Sequence, residues 1–371
     1  MHKIIFYPLG NADTCRIDLS NGKKVLFDYA NVKDKNDRYD LRIDLEKALK
    51  DDLTEAKKDC FDVVGFTHAH DDHIKGFSEF FHLEHAEKYQ GDGRIKISEL
   101  WVPAAIIMEE GPEDEARILR SEARHRLREG KGIRVFSRPD RLKQWLESHD
   151  IKFEDRKSLI TDAGQIVPGF SRDNDGVEFF VHSPFAAHVD DRLEDKNESS
   201  LVMHATFDID GQETKFLIIG DSTSDVLSDI VNITRFHKRE ERLKWDIYDI
   251  PHHCSYLALN TEKGTDKTEP VPEVKWLLEQ GCNKGILVAS SKPIPTNDED
   301  KQPPHRQAAN YYKDVASSIS GTFKVTMEHP DKNKPKPLEI TIDKWGATLK
   351  LITYTGGAAA VITQAPRAGH L

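Results

Sequence analysis

The chain has 371 residues, a formal net charge of −11 and a pI near 5.9; 37% hydrophobic and 32% charged residues describe a globular protein with a strongly hydrated surface. That acidic balance argues against a general nucleic-acid coat, whose affinity comes from basic groups on phosphate, but not against a nuclease whose bound cations receive the phosphate. No apolar run approaches the roughly 20 residues of a membrane span, and four scattered cysteines without a CxxC pair suit free thiols in a reducing compartment, so a cytoplasmic protein away from membranes is expected.

The N-terminal MHKIIFYPLGNAD has no extended apolar region and no small-residue cleavage site, and it reads as a first β-strand over Lys3 to Tyr7 rather than a signal peptide. A turn follows at Gly10-Asn11, then a strand from Thr14 to Asp18 and another from Val25 to Asp28. Asn21-Gly22 between them is a hairpin signal. Residues 42 to 58 place Ile43, Leu45 and Leu49 amid charges, as a surface helix does. An apolar strand, Phe61 to Phe66, delivers the segment THAHDDH (67 to 73), and a helix is expected over Ile74 to Phe81. Residues 106 to 160 are dominated by charge and read as a helical insertion that covers or flanks this segment. Strand patterns resume in VEFFVHS, SLVMHATFDI, TKFLIIGD, WDIYDIPHH and GILVASS, and again over 323–327, 338–342 and 348–354. Two β-rich halves with helices between them imply one α/β domain over 1–355, a four-layer αββα sandwich, with 356–371 as a frayed tail.

THAHDDH carries the chemistry. It gathers His68, His70, Asp72 and His73 within six positions, and imidazole and carboxylate are the ligands of borderline divalent metals such as zinc. In extended chain, residues i and i+2 share a side, so His68 and His70 converge on one ion. Asp72 and His73 sit where the chain turns and address a second ion.

The second half offers further donors. Asp221 ends the strand TKFLIIGD; an Asp there also serves to cap a helix or close a turn, but beside a metal motif it suits a bridging carboxylate, whose charge offsets repulsion between two cations. WDIYDIPHHCS repeats the design. Adjacent histidines on a strand point to opposite faces, so His252 is assigned to the second metal and His253 to substrate phosphate or to protonation of the leaving group. Cys254 needs no nucleophilic role beside a metal-activated water.

With these residues in place the chain resembles the metallo-β-lactamase superfamily, whose order HxHxDH, Asp, His is met by His68, His70, Asp72, His73, Asp221 and His252. It resembles more closely the ComEC-type branch, named for the hydrolase domain of the competence DNA-uptake channel. Gly10 to Asp13 and LFDYA (26–30) echo that branch's opening turn and strand, the turn being altered. NESSLVM (197–203) with LIIGD, HHCS with cysteine in place of glycine, and Pro304-His305-Arg306 echo the rest. The resemblance implies a metallo-β-lactamase-like sandwich holding two divalent ions, zinc or manganese, and a phosphodiesterase or nuclease acting through a metal-bridging hydroxide. Asp72 would orient that hydroxide, and His253 or His305 would protonate the leaving oxygen. The substrate would be a phosphodiester such as DNA. Many superfamily members add a histidine ligand between the first motif and the bridging Asp. Here His182 and His204 alternate with apolar residues as core histidines do, which leaves His188 in its loop as the better candidate.

Lys75, Asn197, Ser199 and Ser200 are further candidates for substrate contact, with solvated helix and turn roles as the alternatives. The same hydroxide would also attack carbon, as in an esterase or lactonase acting on a small molecule. A third reading is a non-catalytic module that docks a protein partner in a defence or DNA-processing complex.

Overall fold

The computed structural model describes residues 1–186, 197, 199–355 and 358–363. The first half of the chain supplies β1 (His2–Phe6), β2 (Cys15–Asp18), β3 (Lys24–Phe27), β4 (Cys60–Gly65), β5 (Lys96–Pro103), β6 (Ile133–Phe136) and β7 (Ile160–Thr161). These stand in sequence order within one sheet: β1 to β3 are antiparallel neighbours, and β3 through β7 run parallel. The second sheet takes β8 (Val177–Ser183), β9 (Val202–Ile209), β10 (Gln212–Ile219), β11 (Trp245–Ile250), β12 (Gly281–Ala289) and β13 (Thr322–Val325), again side by side. The chain then returns to the first sheet, where β14 (Leu338–Asp343) pairs with β1, followed by β15 (Gly346–Thr355) and β16 (Ala358–Thr363). Part of the stretch expected as a frayed tail thus has a strand partner.

Three apolar seams make four layers. Ile4, Phe6, Val25, Phe27 and Trp101 of the first sheet meet Phe179, Met203, Phe216 and Ile218 of the second. On the far side of the first sheet, Leu26, Val64 and Leu100 pack under helices α1 (Leu45–Glu55), α2 (Asp71–Ile74), α3 (Phe77–Phe80), α4 (Ala104–Met108), α5 (Asp114–Glu129) and α6 (Asp140–Glu147). Across the second sheet, Leu217, Ile219, Tyr248 and Leu287 pack under α7 (Ser224–Phe236), α8 (Pro272–Leu278) and α9 (Arg306–Ser318). Strand β10 shows the cause: Phe216 and Ile218 point inward and Leu217 and Ile219 outward, so the half of the strand that is covered on both faces is apolar throughout. The αββα sandwich read from the sequence is the architecture observed.

Two local expectations change. The charged region 106–160 is helical, but it also holds β6, which pairs with β5 and β7, so the region is woven into the first sheet. The helix expected over 74–81 is two short helices, because Gly76 adopts φ 79° between them. Helix α5 buttresses this stretch: the Glu115 carboxylate accepts from Ser78 N–H at 2.8 Å and from Ser78 Oγ at 2.7 Å. No described helix is long and apolar enough to cross a membrane.

Candidate metal centre

The site forms where the strands of both sheets end. Strand β4 leads into Thr67, and the extended chain to His70 sets the two imidazoles together, His68 Nε2 lying 3.0 Å from His70 Nδ1. His73 follows on α2 and is fully buried. Its ring is fixed by Asp28, which ends β3 with φ 56°. The Asp28 carboxylate accepts from His73 Nδ1 at 2.8 Å, from Thr67 N–H at 2.7 Å and from Thr67 Oγ1 at 2.8 Å. One carboxylate therefore seats both ends of the motif and turns His73 Nε2 toward Asp221 Oδ1 at 3.3 Å. A carboxylate behind a histidine in this way is how metal-binding imidazoles are commonly oriented.

Asp221 enters from the second sheet through Gly220. A Cβ at residue 220 would lie 2.7 Å from Thr67 Oγ1 and 2.8 Å from Thr67 Cβ, so only glycine lets the end of β10 close against the first motif. Leu201 N–H donates to Thr67 O at 2.9 Å, tying the start of β9 to the same point. The Gly10-to-Asp13 loop is seated by Asp13 N–H donating to Asp72 O at 3.0 Å.

Two donor groups result. His68, His70, Asp72 and Asp221 offer ligand atoms within 4.8 Å of one another, and so do Asp13, His73, Asp221 and His253. Asp221 belongs to both. Of the residues expected as metal ligands, His68, His70, Asp72, His73 and Asp221 are brought together; His252 stands outside both groups, and His253 belongs to the second. The reason is local backbone. His252, His253 and Cys254 take φ 52°, 52° and 65°, three left-handed residues in succession, so the alternation of a strand does not apply. His253 Nδ1 then donates to Ser290 O at 2.8 Å and its Nε2 meets Asp72 Oδ2 at 3.2 Å.

The other histidine expected to protonate a leaving group, His305, stands outside both donor groups. His305 Nδ1 accepts from Tyr256 N–H at 3.4 Å, its Nε2 donates to Lys301 O at 3.2 Å, and its ring stacks edge-on to Tyr256. Both nitrogens are engaged by main chain, so His305 braces the HHCS turn. His182 and His204 are buried in the second sheet and bond to Arg242 O and Lys244 O, each at 3.0 Å. His188 lies outside the described residues. Lys75 is exposed, and its carbonyl accepts from Asn31 N–H. Sequence reasoning missed Asp13, Asp28 and Ser290 as parts of the site; the altered Gly10-to-Asp13 turn and the Asp ending LFD were the only visible signals.

The electrostatics suit cations. Burial raises the Asp13 carboxyl to about 6 against the pull of His253 and His73. Burial opposes charge on His253 and His73, yet Asp221, with Asp13 and Asp28 nearby, lifts His253 to about 9 and His73 well above the imidazole range. His68 is held well below it, by burial and then by the charge of His73. Burial disfavours charge on Asp221, but His253 and His73 keep it well below the carboxylate range. Imidazolium protons here balance a concentration of buried carboxylates. Among the described residues, His252 Nδ1 is a buried polar atom without a hydrogen-bond partner, and His73 Nε2 and Asp221 Oδ1 have none beyond facing each other at 3.3 Å; such atoms are costly unless something binds them. Divalent ions fit that donor set.

No family model matches the chain, and no curated protein matches it. Solved structures align with it at low similarity. A Parabacteroides distasonis protein named provisionally as a metal-dependent hydrolase gives a TM-score of 0.34 at 10% identity, over 86% of this chain and 91% of that one. A diphosphatase of the PhnP family gives 0.32 at 9%, over 88% and 87%. The metallo-β-lactamase GOB-18 of Elizabethkingia meningoseptica gives 0.33 at 11%, over 74% and 87%. At scores this low, the fold and the centre rest on the chain's own layers, strand ends and donor groups.

Proposed function

We propose that this chain is a two-metal hydrolase of the metallo-β-lactamase type, in its ComEC-like branch, and that it cleaves phosphodiesters, DNA among them. The observation that carries the reading is the pair of four-donor groups sharing Asp221. When bound, two divalent cations, zinc or manganese, would supply a water acidic enough to attack near neutral pH and withdraw charge from the scissile phosphoryl oxygen. His68, His70 and Asp72 would hold one ion, Asp13, His73 and His253 the other, and Asp221 both. His252, with its buried unpartnered Nδ1 in the field of Asp221, is a reserve donor.

The surrounding residues position this set. Asp28 keeps the His73 proton on Nδ1, and Ser290 O keeps the His253 proton on Nδ1, so each ring presents Nε2 inward. The second-half donors approach only because Gly220 lacks a side chain. The placement of Asp28, Leu201, Gly220-Asp221 and HHCS around one centre supports the branch assignment, and that branch supports the phosphodiester substrate.

The test is metal analysis of the purified chain followed by hydrolysis of bis(p-nitrophenyl) phosphate, single-stranded and duplex DNA, RNA and a lactone. Two ions per chain and metal-dependent phosphodiester cleavage are expected. Lactone turnover without phosphodiester cleavage would contradict the substrate assignment, and absence of bound metal would contradict the centre.

A further inference from the structure

A second cleft, of about 490 Å³, opens between the β8 edge of the second sheet and the end of α7. None of the metal-centre donors lines it. Helix α7 starts three residues after Asp221, and at 1.5 Å per residue the cleft residue Ile233 lies ~14 Å along it from Ser224. The volume is that of a small-molecule site.

Its lining divides into two kinds. Phe180, Phe185 and Ile233 give apolar walls, and Ile233 is 38% exposed there. The polar part is specific. Arg172 and Arg242 nearby share Glu178, at 2.7 and 2.6 Å, and Arg172 also reaches Glu213. Arg239 forms no ion pair among the described residues; its Nη1 donates only to Gly164 O at 2.8 Å. A guanidinium has five donors in a plane, so most of this one is left to meet a planar anion. His182 Nε2 donates to Arg242 O at 3.0 Å, which leaves Nδ1 as an acceptor. Burial lowers its pKa to about 4, so the ring is neutral at pH 7.

We infer that this cleft binds a small aromatic carboxylate bearing a hydroxyl group, with the carboxylate on Arg239, the hydroxyl donating to His182 Nδ1, and the ring between the apolar walls. The site is separate from the metal centre and does not depend on its assignment.

Isothermal titration calorimetry on the full chain with 4-hydroxybenzoate tests this. Saturable binding is expected, weakened about tenfold or more by Arg239→Gln, which removes a charge-assisted contact. Ile233→Trp, at an exposed position that leaves the core untouched, should fill the cleft and abolish binding while the melting temperature holds. Methyl 4-hydroxybenzoate should bind far more weakly than the acid, and benzoate should fall between them. No saturable heat with the acid, equal binding of acid and ester, or binding indifferent to both substitutions would overturn the inference.

Discussion

The two histidine-bearing loops of the centre reach similar ends by different physics. THAHDDH follows rules of local structure: an extended run aligns His68 with His70, a short helix presents His73, and Asp28 locks the arrangement through three hydrogen bonds. The HHCS turn follows none of these. It holds three consecutive non-glycine residues at positive φ and is fixed by main-chain carbonyls and by His305 from another element. The first loop is preorganised by a side chain, the second by strained backbone that the rest of the fold must hold in place.

The largest effect is expected where the two loops meet. Asp221→Ala removes the one donor common to both groups, so metal content by elemental analysis and phosphodiester turnover should both fall to background; a variant that keeps two ions would show that the loops bind separately. Next comes Asp28→Ala, which strands the His73 and Thr67 donors without touching an ion. Removal of such a supporting carboxylate costs roughly 10–100-fold in metal affinity or activity. A competitive chelator titration reads this, and Asp28→Asn should recover part of the loss because an acceptor remains.

The second loop is probed at Cys254, which is fully buried at φ 65°. Left-handed backbone costs a non-glycine residue roughly 1–2 kcal/mol, and the buried thiol returns a similar amount through packing of order 1 kcal/mol. Cys254→Gly should therefore unfold in denaturant within about 1 kcal/mol of the parent, whereas Cys254→Val, β-branched at positive φ, should lose about 2 kcal/mol or more. Equal losses would remove backbone strain from the account of this turn.

The smallest effect concerns the support behind the first loop. Glu122 on α5 accepts from Glu84 N–H and His85 N–H and pairs with Arg126 at 2.7 Å. Burial opposes its charge, but His85 and Arg126 hold its pKa at about 2 against an ordinary 4.5. A depressed carboxyl contributes stability that is full above pH 4.5 and is lost as pH falls toward 2. Glu122→Gln should flatten that part of the stability–pH curve, with a slope unchanged from the parent as the contrary result.

Much of this was legible in the sequence. Apolar runs bounded by turn residues marked β1 to β4 and most of the second sheet, and those ending in His or Asp marked where donors would gather. Three things were hidden. Strand β5 opens on Lys96, carries Ser98 and Glu99 between its apolar residues and follows a polar turn, so its periodicity is diluted. Asp13 becomes a donor only because its loop is hydrogen-bonded to Asp72, a tertiary contact no local pattern encodes. The grouping of His253 rather than His252 with these donors depends on the handedness of backbone that residue types at 252–254 do not specify.

Anomalous diffraction from crystals grown with zinc or manganese tests the central claim most directly. Two peaks are expected, both within bonding distance of Asp221, one beside His68, His70 and Asp72 and the other beside Asp13, His73 and His253. A single peak, or a second ion held by His252 with Asp13 and His253 turned away, would contradict the account.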